Sequence, residues 1–474
     1  MANPPVQETD GNSGEGLLPQ LGIRISDWTE RWFPDPFVFA LLGILTIFLI
    51  GMALGESPLN LAVQGGRGFW SLSTFTLQMV MVVVGGYVVA STPVARRIVH
   101  AVASWPKTPR GALALLALFS TLTALISWGL SLVFSGLLAR AMAQRINRLD
   151  YRAAGAAAYL GLGAVWAMGL SSSAALMMAT KSAIPASLLG VTGILPLTQT
   201  IFLWPSLITT ALLIVTSVTV AYVSCPSEAD ARPASYYGIV LTEQPNREVK
   251  KPNRAGGWLE DSPILPGIVA LVLLCYLFDL FKTSPQGALA ALDLNTYNLI
   301  FIVAGLLLHG SPRRFLQAVA DSIPATAGVV IQFPFYGVIF GMITGTAISG
   351  KLANLFSSIS THDTFGLLVA TYSSVLGFFV PSGGSKWVLE APYVMEAAIR
   401  HQVHLGWVVQ IYNASEALPN LINPFWMLPL LGILKVRARD LIGFCTLQLI
   451  VHIPLVFFLC WIFSVWLPFI PPTK

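Results

Sequence analysis

Long apolar segments separated by short polar loops dominate the chain. A helix of about 20 apolar residues is long enough to cross a hydrocarbon core of ~30 Å. Runs suited to this role occur at residues 36–54, 69–90, 153–180, 200–223, 263–281, 297–309, 322–349, 408–430 and 441–467. The pattern therefore predicts an all-α polytopic membrane protein with about nine crossings.

Two further apolar segments, 111–138 and 364–398, predict re-entrant hairpins. Basic residues flank the first segment on both sides, and positive loops tend to stay on the cytoplasmic side. They are Arg96, Arg97, Lys107 and Arg110 before it and Arg140, Arg145, Arg148 and Arg152 after it. We therefore expect segment 111–138 to enter and leave on one face and to turn near Ser127-Trp128-Gly129. Segment 364–398 is too long for one crossing, and Pro381 to Gly384 interrupt it near its midpoint.

The same order of crossings and hairpins is predicted twice, in opposite orientations. Positive charge in the loops then favours a multi-pass protein with its N-terminus inside and its C-terminus outside. The predicted parts are a cytoplasmic N-terminal segment 1–35, a first inverted repeat 36–223, a linker with one crossing 224–294, a second inverted repeat 295–467 and an outer tail 468–474. Inverted repeats with broken helices are typical of secondary transporters.

The amino-acid composition excludes several classes of function for this chain. The chain is 55% hydrophobic and 10% charged, whereas soluble domains carry about 25% charge. It has no basic tract suited to nucleic acid, and its four cysteines lack metal-ligand spacing. We expect no cofactor other than a coupling ion, Na+ or H+.

Lys386 is the one basic residue inside a long apolar segment. A cation near a bilayer centre costs about 2.5–3.5 kcal/mol on insertion scales, so it usually lines a cavity or binds a partner. It follows Pro381, Ser382, Gly383, Gly384 and Ser385 at the predicted hairpin tip. Either the tip and Lys386 bind an anion, or Lys386 pairs with Glu390 one helical turn later.

Both crossings that follow a hairpin are predicted to be interrupted. The first break is Met168 to Ser173, which includes Ser171, Ser172 and Ser173, and the second is Tyr412 to Asn420 with Asn423 beyond. Backbone N–H and C=O groups that leave the helix at this depth need hydrogen-bond partners, which other protein groups or water in a cavity must provide. In the second break, Asn413, Glu416, Asn420 and Asn423 are candidates for binding the coupling ion, with polar contacts between helices as the structural alternative.

Four runs resemble the bacterial short-chain fatty acid transporter family, and more distantly the ion transporter superfamily. They are Trp32 to Pro36, Val330 to Tyr336, Val380 to Gly384 and Asn423 to Pro429. The resemblance implies an inner-membrane carrier of acetate, butyrate or acetoacetate, an elevator mechanism and a homodimer. The family's pattern has glycine, histidine and glutamine where this chain has Ser385, Lys386 and Glu390.

The leading hypothesis is a cation-coupled symporter of small monocarboxylates that resides in the lipid bilayer. The predicted substrate site comprises Ser127, Trp128, Gly129, Ser171, Ser172, Ser173 and Pro381 to Lys386. A carrier of a larger anion such as a dicarboxylate is the main alternative, with Lys386 binding the second carboxylate. A channel or an intramembrane enzyme is a further alternative, although the chain has no HExxH or Gly-x-Ser-x-Gly motif.

Overall fold

The computed structural model describes residues 36–241, 256–284, 291–379 and 383–472. These residues form helices and connecting turns, with no strand among them. Seven helices in the described ranges are long and apolar enough to cross a membrane, and Ala40–Ala53 and Leu294–His309 are shorter apolar helices. The all-helical prediction is confirmed, whereas the number of crossings stays a prediction. The predicted segment 1–35 lies outside the described residues.

The described residues of the first half of the chain form ten α-helices. They are α1 (Pro36–Ala53), α2 (Pro58–Gly68), α3 (Ser73–Ala90), α4 (Pro93–Val102), α5 (Pro109–Ile126), α6 (Trp128–Arg145), α7 (Tyr151–Leu160), α8 (Ser173–Ala179), α9 (Ala186–Thr192) and α10 (Trp204–Val223).

The linker contributes a short helix and one long apolar helix, and the second half follows. These helices are α11 (Gly257–Asp261), α12 (Ile264–Thr283), α13 (Leu294–His309), α14 (Pro312–Ser322), α15 (Ala327–Thr344), α16 (Ile348–Ile359), α17 (His362–Phe379), α18 (Gly383–Arg400), α19 (Leu405–Asn420), α20 (Pro424–Leu434) and α21 (Ala438–Trp466).

Short helices between the long ones were not predicted from hydropathy. Three of them, α2, α4 and α14, begin with proline after a capping Ser57, Thr92 or Ser311, whose side-chain oxygen accepts a backbone N–H. Proline is favoured at the first helical position because its missing N–H would have no intrahelical partner there. Ser/Thr-Pro pairs were therefore the available sequence signal for these helices.

The two halves pack on each other in a reciprocal way. Helix α2 packs on α15 of the other half, just as α14 packs on α3. Likewise α6 packs on α20, and α18 packs on α8. This exchange of equivalent contacts agrees with the predicted internal repeat of the two halves. Their opposite orientation in a membrane stays a prediction.

The two interruptions differ from one another. After α7 the chain continues as a π-helix, Gly161–Val165, and a 3-10 helix, Trp166–Met168, before α8 starts at Ser173. The interruption at Met168 to Ser173 is therefore found where it was predicted. Ser172 caps α8 by accepting the N–H of Ala175.

The predicted position of the second interruption was wrong. Helix α19 continues through Asn420, and the chain leaves the helix only between Leu421 and Asn423. The polar residues from Asn413 to Asn420 keep a helical backbone because their side chains face other protein segments and not lipid. The break comes later because a residue that precedes proline is disfavoured in helical geometry, and Asn423 precedes Pro424.

Helices α2 and α15 cross with their backbones in contact. A Cβ on Gly341 would lie 2.8 Å from Cα of Gly68, and one on Gly337 would lie 2.5 Å from the carbonyl oxygen of Gly68. Small residues allow this close approach between helices in membranes. The contact joins the two halves of the chain at a point remote from the interruptions.

We expect Gly341→Leu to lower the free energy of unfolding by about 1–3 kcal/mol, because the added side chain forces the packed backbones apart. Thermal unfolding of the purified protein in detergent measures the effect. Gly267→Leu is the matched control, since a Cβ on Gly267 in α12 meets no atom within 4 Å. Equal melting temperatures for the two variants would contradict the close crossing.

Candidate functional site

The two interrupted helices meet side by side in the interior. The Ser172 hydroxyl donates a hydrogen bond of 3.0 Å to Oδ1 of Asn413. The Tyr159 hydroxyl donates a hydrogen bond of 2.8 Å to the backbone oxygen of Asn420. These bonds link α7 and α8 to α19, so that residues from both halves surround one buried region.

The start of α18 lies against this region. A Cβ on Gly383 would clash with the Trp166 ring, and one on Gly384 would lie 3.1 Å from the Phe75 ring. The Tyr412 hydroxyl donates a hydrogen bond of 2.5 Å to the backbone oxygen of Gly383. Glycine is required here because a larger side chain would push the first turn of α18 away from the aromatic rings.

The ammonium group of Lys386 has three neighbours that carry negative charge or partial negative charge. Its Nζ donates a hydrogen bond of 2.7 Å to the backbone oxygen of Ser373, lies 3.8 Å from Oε1 of Glu390 and sits 4.9 Å from the Tyr412 ring centroid. The side chain is fully buried. Lys386 thus joins α17, α18 and α19, and the predicted pair with Glu390 is present.

Glu390 compensates the positive charge of Lys386, which lies at an electrostatically unfavourable position in its helix. Lys386 lies in the first turn of α18, where the helix dipole disfavours positive charge. Glu390, one turn further on, accepts a hydrogen bond of 2.6 Å from the Ser373 hydroxyl and faces Lys386 with its other oxygen. The pair is therefore internally compensated, with Ser373 bonding both members.

Glu416 differs from Glu390 because both of its carboxylate oxygens lack a hydrogen-bond partner within the described residues. Its side chain is 1% exposed. The Asn420 side chain approaches the carboxylate without reaching hydrogen-bonding geometry. Gln410 and Asn413 on the same helix also have unpaired buried atoms. An uncompensated buried carboxylate is costly, so this one requires a proton, a cation or a bound donor.

The turn between α5 and α6 lies beside the first interruption and α3. Ser127 separates α5 from α6, and a Cβ on Gly86 of α3 would lie 2.5 Å from its hydroxyl. A Cβ on Gly169, within the first interruption, would clash with the backbone of Leu125. The Trp128 ring packs edge to face on the Trp426 ring of α20 at 5.7 Å, whereas Gly129 has open space at its Cβ position.

The predicted site residues divide into groups. Ser172, Gly383, Gly384, Lys386, Glu390, Asn413, Glu416 and Asn420 come together as described above. Ser171, Ser173, Ser385 and Asn423 are buried nearby along the same segments. Pro381 and Ser382 lie outside the described residues.

Comparison with known proteins identifies the family. The family model for short chain fatty acid transporters matches residues 17–463. The chain belongs to this family. A relative from Escherichia coli K12 assigned by name to the same family is 32% identical over 92% of this chain and 97% of the relative. One from Haemophilus influenzae is 30% identical over 93% and 98% of the two chains.

Two solved transporter structures share the fold. The Alcanivorax borkumensis YdaH transporter aligns with a TM-score of 0.58 at 14% identity and covers 92% of this chain and 100% of its own. Neisseria gonorrhoeae MtrF, from a class of antimetabolite efflux pumps, aligns with a TM-score of 0.55 at 13% identity over 95% and 98% of the two chains. Membership of a transporter family confirms that the protein is a membrane transporter and not an enzyme.

Three residues of the site were not predicted from the sequence. Ser373 bonds both Lys386 and Glu390, Phe75 packs on Gly384, and Gln410 extends the polar face of α19. Only Gln410 had a usable signal, because it precedes Asn413 by three residues, as Asn413 precedes Glu416. Ser373 and Phe75 are ordinary residues of apolar helices until the tertiary fold supplies their neighbours.

We expect Lys386→Met to destabilise the protein by about 3–5 kcal/mol, because it leaves Glu390 buried without a counter-charge. The double variant Lys386→Met with Glu390→Gln should recover most of this loss. Chemical denaturation in detergent of the wild type, both single variants and the double variant gives the coupling energy. Strictly additive effects would show that the two side chains do not interact.

Proposed function

We propose that the protein is a secondary active transporter of short monocarboxylates, coupled to cation entry, in the bacterial cytoplasmic membrane. The support is the buried region where the start of α18 meets both interruptions, with Glu416 as an uncompensated carboxylate. The proposed orientation has the N-terminus inside, and the proposed movement is that of an elevator, in which α5 to α8 and α17 to α20 shift against the remaining helices.

The proposed carboxylate site is the first turn of α18 beside Trp166. Helix N-termini present free backbone N–H groups and a positive partial charge, which suit a carboxylate. The indole N–H of Trp166 and the hydroxyl of Ser171 are buried without hydrogen-bond partners. These donors lie along the two interruptions, so a bound carboxylate would engage both halves of the chain.

The surrounding aromatic rings favour a short apolar tail. Phe75 stacks on Phe333 at a centroid distance of 5.6 Å, and Trp387 packs on Tyr412 at 4.8 Å. Phe75 and Trp166 lie directly against the glycines at the start of α18. Rings so close to the proposed carboxylate site favour a substrate of few carbons, in agreement with the short chain fatty acids for which the family is named.

The contacts of the Lys386 ammonium group argue against a dicarboxylate as the substrate. Lys386 is the only buried Lys or Arg among the described residues, and its ammonium group already lies against the Ser373 backbone oxygen, the Glu390 carboxylate and the Tyr412 ring. A second substrate carboxylate would have to displace one of these partners. We therefore assign Lys386 and Glu390 to holding α17, α18 and α19 together rather than to direct substrate binding.

Uptake of labelled butyrate into proteoliposomes tests the function. We expect saturable accumulation above that of protein-free liposomes when an inward cation gradient is imposed, with acetate competing and succinate not competing. Separate proton and sodium gradients identify the coupling ion. Glu416→Gln should reduce gradient-driven accumulation at least about tenfold, equivalent to about 1.4 kcal/mol or more.

Glu396→Gln is the matched control for this experiment. Glu396 lies on α18 as a partly exposed acid paired with Arg400 at 2.7 Å, remote from the start of that helix. We expect normal uptake from this variant. Displacement of butyrate by succinate would favour the dicarboxylate carrier, and unsaturable flux in either direction would favour a channel.

A further inference from the structure

Glu416 lies at the place where the proposed function puts the substrate carboxylate. A Cβ on Gly383, the first residue of α18, would lie 3.4 Å from Oε2 of Glu416. The same glycine contacts the Trp166 ring, whose buried N–H has no partner. One buried carboxylate of the protein and one carboxylate of the substrate would therefore share the donors at the start of α18.

Two ionised carboxylates cannot occupy such a position together. Like charges at short range in a dry interior repel strongly, and the usual outcome is that the pair holds one proton between them. Lys386 attracts the Glu416 carboxylate but relieves this repulsion only in part, because Glu390 lies 3.8 Å from the same ammonium group and shares its charge. The remaining route to neutrality is uptake of a cation by Glu416 itself.

We propose that Glu416 takes up one proton for each carboxylate bound, and that the protonated Glu416 donates a hydrogen bond to the substrate anion. This inference rests on the proposed function and specifies its coupling ion. The proton comes from the aqueous phase on the entry side, resides on a Glu416 oxygen in the loaded carrier and leaves to the other side with the substrate. One proton and one monocarboxylate carry no net charge, so the cycle is electroneutral.

Other ionisable groups around Glu416 do not replace it in this role. Lys386 and Glu390 face it from α18, Tyr412 lies on its own helix and Tyr159 faces it from α7. Lys386 and Glu390 compensate each other. The Tyr159 and Tyr412 hydroxyls donate to backbone oxygens of Asn420 and Gly383. Within the described residues, Glu416 is the one member of this group with no hydrogen-bond partner on either carboxylate oxygen.

Equilibrium binding of labelled butyrate to the purified protein in sodium-free buffer tests the proposal. Between about pH 6 and about pH 8 we expect the Kd of the wild type to rise by up to tenfold per pH unit, the limit for one linked proton. Glu416→Gln carries a permanent neutral amide, so its Kd should be independent of pH. Glu416→Asp should restore the pH dependence, and Glu396→Gln should retain it in full.

Several results would overturn the proposal. A wild-type Kd that does not change with pH would show that no proton is taken up when butyrate binds. A pH dependence that persists in Glu416→Gln would mean that the protein selects the undissociated acid. Sodium that restores tight binding at about pH 8 would assign the coupling to sodium. Absence of saturable butyrate binding at every pH would instead refute the proposed function, so the two failures are distinguishable.

Transport provides a second readout. In proteoliposomes, butyrate uptake driven by a pH gradient should stay the same when a potassium diffusion potential of either sign is imposed. Protein-free liposomes correct for passive permeation of the acid. A rate that follows the membrane potential would contradict electroneutral symport of one proton with one carboxylate.

Discussion

A charge buried in a low-dielectric interior has to be compensated within the protein, and this requirement organises the centre of the molecule. Lys386 meets it through Ser373, Glu390 and the Tyr412 ring, which belong to three different helices. The cation therefore fixes how α17, α18 and α19 pack. Because Lys386 and Glu390 face each other at 3.8 Å, Glu416 is the group whose charge we propose to change during a transport cycle.

The interruptions serve the same centre. Free backbone groups are tolerated at membrane depth only inside protein or beside water, and here the two interrupted helices lie next to each other in the interior. The bond from Ser172 to Asn413 and the bond from Tyr159 to Asn420 hold them together. Residues from both halves of the chain therefore surround the region where we propose that the small anion binds.

The fold and the family of this chain rest on different comparisons. The likeness to YdaH and MtrF is at 14% and 13% identity, so it shows the fold alone. Membership of the short-chain fatty acid transporter family rests on nearly the whole chain. The chemistry of the proposed site adds evidence on the substrate that neither comparison provides. The site has a carboxylate without a hydrogen-bond partner, a cation that is already paired and several aromatic rings. These features favour a substrate with one charge and a short tail.

Hydropathy alone determined the helical class and the first interruption, and it singled out Lys386, Glu390 and Glu416 as charges inside apolar segments, because burial of charge and exposure of backbone are costly wherever they occur in a lipid-spanning chain. The tertiary structure decided the rest. It moved the second interruption from the predicted Tyr412 to Asn420 to the residues before Pro424, because neighbouring helices shelter the polar face of α19. It also supplied Ser373 and Phe75 as neighbours of the site. Which charge is paired and which is free depends on distances between helices far apart in sequence, and no local pattern specifies them.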